Sequence, residues 1–325
     1  MAFIQTNTAD NLRSDFFRKP KQKRDIWMMT RSFLETNTYK HKRYGGKSKS
    51  HWTLFERMIW IFGLFLKAAG VYQRGFCNAK NIVVKEVETC FSDLPKPFHG
   101  YKILHLSDLH LDCYQGVEDI ICKKIKDLTY DLCVLTGDYR VKTKGGFKQI
   151  LNPMKKLAGA IKAKDGILAT LGNHDTYLMV DFLESIGINV LANETVTIKR
   201  KNDKIAVTGI DDPHYYYTDQ AAVALEEPFE GYKIVLIHTP ELYDIAADNG
   251  YRLYLCGHTH GGQICLPYGI PLITHLYDGR KFYRGLWHYS NMKGYTSQGC
   301  GTVGIPVRFN TQSEITLITL KRKRS

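Results

Sequence analysis

Paired cysteines are the first thing this chain lacks. Its eight cysteines, Cys77, Cys90, Cys113, Cys122, Cys133, Cys256, Cys265 and Cys300, form no Cys-x-x-Cys pair and no dense framework. That excludes a thiolate-rich structural zinc site and a small scaffold stapled by disulfides. Scattered in this way, most read as small buried residues of a reducing compartment. An apolar stretch near Met1 is missing too, so a cleaved secretory signal is not expected and the default location is cytoplasmic. No uncharged run reaches the roughly 20 residues that a bilayer span needs. Internal repeats and low-complexity blocks are absent beyond Tyr101, which argues for a single catalytic body.

A basic groove across the folded part is also absent, despite a net charge of +13. Residues 1–50 hold twelve Lys/Arg against four Asp/Glu, and Lys321 to Arg324 add four more basic side chains. Removing both segments leaves 29 basic against 28 acidic side chains in residues 51–320. Polybasic ends around a neutral body suit an anionic membrane surface, at roughly 1 kcal/mol per basic residue near the bilayer. A solvated arm is the alternative, and no stable nucleic-acid partner is expected.

At 325 residues and 44% hydrophobic, the chain can bury a large core. Three regions follow: a basic, poorly ordered arm over 1–50, a helical segment over 51–75 and a catalytic domain over 76–325. Between Leu54 and Tyr72 the run Met58 to Leu66 carries no charge. Thr53, Glu56, Arg57, Gly63, Lys67, Gly70 and Arg74 recur at spacings of three, four and seven, a narrow hydrophilic stripe on a helix. An amphipathic helix lying in the membrane interface fits this pattern; a packed core helix and a short span stay open.

From Tyr101 onward, apolar runs alternate with helical ones. Tyr101–Leu106, Leu132–Thr136, 166–171, 205–210, 233–237 and 252–256 read as short buried strands, and Gly304–Phe309 and Glu314–Leu320 as closing strands. Val117, Ile120, Ile121, Ile125 and Leu128 share one face of a crossover helix. Five of the strand-like runs end in groups able to hold a divalent metal: Asp108-Leu109-His110, Gly137-Asp138, Gly172-Asn173-His174-Asp175, His238 and Gly257-His258-Thr259-His260. Loops at the carboxyl ends of neighbouring strands are where open α/β sheets keep their sites.

Two divalent ions close together need a bridging carboxylate to offset their repulsion, and Asp138 is the candidate. Asp108, His110 and His260 complete one shell; Asn173, His238 and His258 complete the other. Imidazole, carboxylate and amide oxygen suit Mn²⁺ first, with Fe or Zn²⁺ as alternatives. His174 would face the departing oxygen of a phosphoryl substrate, and Asp175 would orient the His174 imidazole.

These five blocks resemble the motif set of the calcineurin-like metallophosphoesterase superfamily, in full and in order, over about residues 100–320. The resemblance implies a four-layer αββα sandwich of two mixed β-sheets, here preceded by the amphipathic helical segment, with a binuclear centre and metal-dependent hydrolysis of phosphoric ester or phosphoanhydride bonds. Gly257 to Ile264 and Gly301 to Asn310 look like the bacterial YkuE/YaeI-type branch, whose members carry a membrane-seeking segment ahead of the catalytic domain. That branch is similar to the enzyme that cleaves the pyrophosphate of UDP-2,3-diacylglucosamine, giving UMP and 2,3-diacylglucosamine 1-phosphate in lipid A biosynthesis. A lipid-linked nucleotide or another phosphodiester is therefore the expected substrate, met at the inner face of the cell membrane. A general phosphodiesterase and a non-catalytic binding scaffold remain the alternatives. His214 to Tyr217 is read as covering a core edge, Arg280, Lys281 and Arg284 as solvated, and His105 as a buried partner of the site.

Overall fold

A computed structural model describes residues 21–37, 39–41, 43, 47–49 and 52–323. The first twenty residues of the expected arm, its Gly45-Gly46 pair and Arg324 lie outside the described residues. Two six-stranded mixed sheets form the body. In chain order the strands are β1 (Val83–Phe91), β2 (Tyr101–Leu106), β3 (Leu132–Thr136), β4 (Ile167–Thr170), β5 (Ile188–Val190), β6 (Glu194–Arg200), β7 (Asp203–Gly209), β8 (Tyr232–Leu236), β9 (Leu253–Cys256), β10 (Gly285–Tyr289), β11 (Met292–Thr296) and β12 (Glu314–Arg322). One sheet runs β1-β12-β2-β3-β4-β5 and the other β10-β11-β9-β8-β7-β6.

Alternation along the strands builds the layers. In β2, Tyr101 and Ile103 point into the core between the sheets, where Ile234 and Leu236 of β8 meet them. Leu104 and Leu106 point the other way, onto the helices after β2 and β3, which bring Ile121 and Met154. On the far side Val235 and Ile237 receive Ala224 and Ala246 from helices 219–226 and 243–248. The result is the expected four layers, helix, sheet, sheet, helix. β2, β3 and β4 pair in parallel, as do β7, β8 and β9, so their carboxyl ends gather at one edge of the sandwich.

Three expectations are corrected. Residues 304–309 form no strand: Arg308 N bonds to Gly75 O and Phe309 N to Gln263 O, so these groups reach loops and the end of a helix rather than a ladder. The basic C-terminal segment is no loose tail, because Lys321 and Arg322 belong to β12 and Lys321 pairs with Glu88 at 3.3 Å. The arm is also not disordered throughout. Lys21–Thr36 is helix α1, with Trp27, Arg31 and Leu34 buried against the body. Arm cations meet acids of the body: Lys23 pairs with Glu227, Arg24 with Glu184 and Glu194, Arg31 with Asp211, and Arg43 with Asp244. Charge that suggested a membrane surface is in these cases satisfied internally.

The uncharged run forms helix α2 (Trp52–Ala68), ending two residues before Gly70, whose φ of +70° suits glycine. Helix α3 (Tyr72–Lys80) follows. Gly63, expected on the hydrophilic stripe, faces the protein, with Ile305 close behind it and Leu66 buried one turn on. Outward, α2 presents Trp60, Ile61 and Phe65, each at least 60% exposed. No helix among the described residues is long and apolar enough to cross a membrane. Because Ile318 of β12 sits fully buried between the sheets, Ile318→Ala should cost about 2–5 kcal/mol. The midpoint of urea unfolding checks this.

Candidate metal centre

Every expected ligand lies just past the carboxyl end of a strand, at the shared edge of the two sheets. Asp108 and His110 follow β2, Asp138 follows β3, Asn173 follows β4, His238 follows β8, and His258 and His260 follow β9. All seven side chains are buried. Bringing them inward from strand ends strains the backbone: Asp108, His110, Asp138, His258 and His260 take φ between +37° and +73°. Non-glycine residues in that left-handed region cost on the order of 1 kcal/mol or more each, which packing and hydrogen bonds must offset. The glycine ahead of two ligands has a different cause. A Cβ on Gly172 would strike Asp138, and one on Gly257 would strike Ser107 and Asp108.

The candidate ligand atoms form three clusters, each within 4.8 Å: Asp108, His110 and His260; Asp138, His238 and His258; and, between these two, His110, Asp138 and His174. Asp138 touches the first two. Its Oδ2 lies 3.2 Å from His238 Nε2 and 3.7 Å from His110 Nε2. In the first set His260 Nε2 stands 3.4 Å from Asp108 Oδ1 and 3.2 Å from His110 Nε2. In the second, Asn173 Oδ1 is 2.9 Å from His258 Nδ1 and 3.2 Å from His238 Nε2. Asn173 thereby joins the group in which the sequence placed it.

Carbonyl oxygens set the tautomers, since an oxygen that can only accept needs an N–H opposite it. His110 Nδ1 donates to Arg140 O at 2.8 Å, and His238 Nδ1 to Thr136 O at 2.7 Å. In their neutral forms both rings therefore turn a bare Nε2 lone pair toward the centre. Two ring nitrogens face each other across 3.2 Å twice, His110 with His260 and His238 with His258. Converging lone pairs of this kind fit ligands gathered round cations. Burial drives His110 down to about 4 and holds His258 and His260 well below the usual histidine range, so these imidazoles stay neutral donors. Burial opposes charge on His238 as well, yet Asp138, Asp108 and Asp212 raise it to about 10. The carboxylates thus draw positive charge into the centre, and divalent cations suit the donor set.

His174 and Asp175 behave differently from one another. His174 Nδ1 is hydrogen-bonded to Val141 O, and its Nε2 points inward, 3.9 Å from Asp138 Oδ2, as a proton donor to a leaving oxygen requires. The expectation that Asp175 orients this imidazole is corrected. Its carboxylate accepts from the backbone N–H groups of Asp138, Tyr139 and Gly172 at 2.7–2.8 Å, so it ties the two ligand loops together and is turned away from the ring. His174 is oriented by the Val141 carbonyl instead.

Other groups surround the ligands, and His105, expected as a buried partner of the site, is one of them. His105 Nε2 lies 2.9 Å from Thr136 Oγ1, which donates to Ser107 Oγ, which donates to Asp108 Oδ2 at 2.7 Å. Arg140 donates to the carbonyls of His174 and Thr143, and Arg308 to those of His260, Gln298 and Gly301, each a buried fork satisfying loop oxygens. His214 lies inside the site rather than over a core edge: its Nδ1 meets Glu241 at 3.0 Å and its ring lies 4.4 Å from that of His258. Its place just after β7, on the same edge as the ligands, was the available signal. Arg308 lies in the Gly301 to Asn310 block that carried the family likeness, but read as a strand it gave no hint of its role.

The site opens into a cavity of about 340 Å³. Asp138, Asn173, His174, His258 and His260 form its floor, and Ile59 and Phe62 of α2, with Ile264, Leu272, Ile273 and Ile305, form its walls. His275, which carried no ligand-like context in the sequence, also lines it.

Residues 101–262 match the family described as calcineurin-like phosphoesterase. Over 276 residues, 80% of this chain and 95% of the relative, the sequence is 30% identical to the protein named uncharacterized metallophosphoesterase YkuE of Bacillus subtilis (strain 168). It is 31% identical over 251 residues to metallophosphoesterase YkoQ of the same organism, spanning 74% of this chain and 90% of that one. Phosphodiesterase YaeI of Escherichia coli (strain K12) is 29% identical over 245 residues, 71% of this chain and 84% of its own. Asp138→Asn keeps the shape of the side chain while removing its negative charge and one of its two acceptor oxygens. It should lower turnover of a phosphodiester by at least about 100-fold with the melting temperature little changed, measured by steady-state kinetics beside calorimetry.

Proposed function

The chain belongs to the calcineurin-like phosphoesterase family and is a metal-dependent phosphoesterase; from that premise we propose that its substrate is a phosphodiester or pyrophosphate carried by a lipid, met at a membrane surface. The observation that carries this reading is the apolar wall above the polar floor. A phosphoryl group resting among Asp138, Asn173, His174 and His258 leaves its lipid part against Phe62, Ile264 and Ile273, all on one cavity. A nucleotide-linked acylated sugar of the UDP-2,3-diacylglucosamine type meets both demands, giving UMP and an acyl sugar phosphate as products. The exposed face of α2, with Trp60, Ile61 and Phe65, would lie in the headgroup region beside the cavity mouth, so the acyl chains need not leave the bilayer fully. Each such side chain gains roughly 1 kcal/mol or more on leaving water.

Asp108, His110, Asp138, Asn173, His238, His258 and His260 would hold two divalent ions, which would supply Lewis acidity and lower the pKa of water, with manganese suited to this mixed set. The chain's own residues do the rest. Asn173 and His258 would flank the phosphoryl group on one side and His260 on the other, all three lining the cavity. With Nδ1 donating to Val141 O, Nε2 carries a proton only in the cationic ring, the form in which His174 would pass it to the departing oxygen; burial, which lowers its pKa, opposes that charge and Asp138 favours it. The walls exclude bulk water from the reacting bond.

A general phosphodiesterase is the second reading, favoured by the likeness to phosphodiesterase YaeI. The two separate in one assay, comparing UDP-diacylglucosamine in mixed micelles with a soluble diester such as bis(p-nitrophenyl) phosphate. The lipid reading expects kcat/KM at least ~100-fold higher for the acylated substrate, and a further loss when Phe62→Asp or Ile273→Asp places charge in the wall. Equal values for both substrates would leave the general reading.

A further inference from the structure

Helix α1 precedes the family's catalytic region by more than sixty residues, yet one face of it is applied to the back of a metal loop. Arg31 is fully buried there. Its guanidinium lies 3.6 Å over the ring of Tyr216 and donates to Asp211 Oδ1 at 2.5 Å. The other amino group donates to Gly172 O at 3.2 Å and to Asp175 O at 3.0 Å, the two ends of the Gly172-Asn173-His174-Asp175 turn. Glu35, one helical turn on, accepts from Arg31 Nε at 2.9 Å, from Thr176 Oγ1 at 2.6 Å and from Tyr177 N at 2.9 Å. Trp27 closes the group by donating to Asp211 Oδ2 at 2.8 Å.

We propose that α1 is a clasp on the second metal position, in which Arg31 and Glu35 are positioning residues that hold the Asn173 turn at ligating distance. This rests on the metallophosphoesterase reading. On its inner side the turn is held by Asp175, whose carboxylate accepts from Asp138, Tyr139 and Gly172. On its outer side, Gly172 O, Asp175 O, Thr176 Oγ1 and Tyr177 N meet α1. Asn173 and His174 project from between these anchors. The first metal position, built from Asp108, His110 and His260, has its own supports in Ser107 and Arg308, and no α1 residue contacts it among the described residues. Loss of the clasp should therefore weaken one ion and spare the other. A planar fork is needed to reach two carbonyls and Asp211 at once, which a lysine ammonium cannot do.

The test is manganese titration of the metal-free full chain by calorimetry, with hydrogen exchange of residues 172–177 followed in parallel. Arg31→Lys keeps the charge beside Asp211, and Glu35→Gln changes a partly exposed side chain, so one of the two retains the fold. In either variant one of the two manganese ions should lose about 10–100-fold in affinity with the other within twofold, and exchange in the turn should quicken. Any substrate then used should show lowered kcat with little change in KM. Lys23→Gln, on an exposed pair of the same helix, should leave both affinities unaltered. Wild-type affinities for both ions in Arg31→Lys and Glu35→Gln, an equal loss at both, or the same loss in Lys23→Gln would overturn the clasp while leaving the two-metal site standing. A wild-type chain that takes up no manganese would contradict the site and the clasp together.

Discussion

Everything at this edge of the sandwich depends on one carboxylate. Asp138 Oδ2 sits between imidazoles that belong to two separate sets, near His238 on one side and His110 on the other. Without cations, such a gathering of lone pairs and buried carboxylates would repel itself, and the rise of His238 to about 10 under the pull of Asp138 expresses that imbalance. With divalent ions the same arrangement becomes attractive. The strained backbones of five ligands and the glycines that let the loops touch are the structural cost of closing it.

That cost is met by groups outside the ligand set. Loops that turn inward at the strand ends leave carbonyls with no ladder partner, and a buried unsatisfied carbonyl is expensive. Three fully buried arginines answer the need, Arg140 and Arg308 around the loops they adjoin and Arg31 from the N-terminal helix. Asp175 performs the mirror task by collecting backbone N–H groups from two loops. Fold and chemistry meet here: the sheets set the loops within a few ångströms, and the forks fix them to within a bond length.

Legibility in the sequence followed the range of the forces involved. β2, β3 and β4 were readable because each is a short apolar run buried on both faces, and the ligands because each ends such a run. The side chains singled out in the sequence do come together, Asp108, His110 and His260 in one cluster and Asn173 beside His238 and His258. Long-range pairings were not. Nothing near Arg31 in the chain announces that Gly172 will lie beside it, and a segment with twelve basic residues resembles a solvated arm until Asp211, Glu184 and Asp244 are brought to it. Asp175 was misread for a related reason: adjacency to His174 suggested a ring partner, whereas the tight turn points the two side chains to different tasks. Residues 304–309 looked like a strand by composition, but the buried Arg308 draws that segment onto the loops of the site.

The central claim is that two ions share Asp138. Crystals grown with manganese and measured at its absorption edge test it most directly. The account predicts two anomalous peaks per chain about 4 Å apart, one among Asp108, His110 and His260, the other among Asn173, His238 and His258, with Asp138 in contact with both. A single peak, or two that Asp138 does not join, would contradict it.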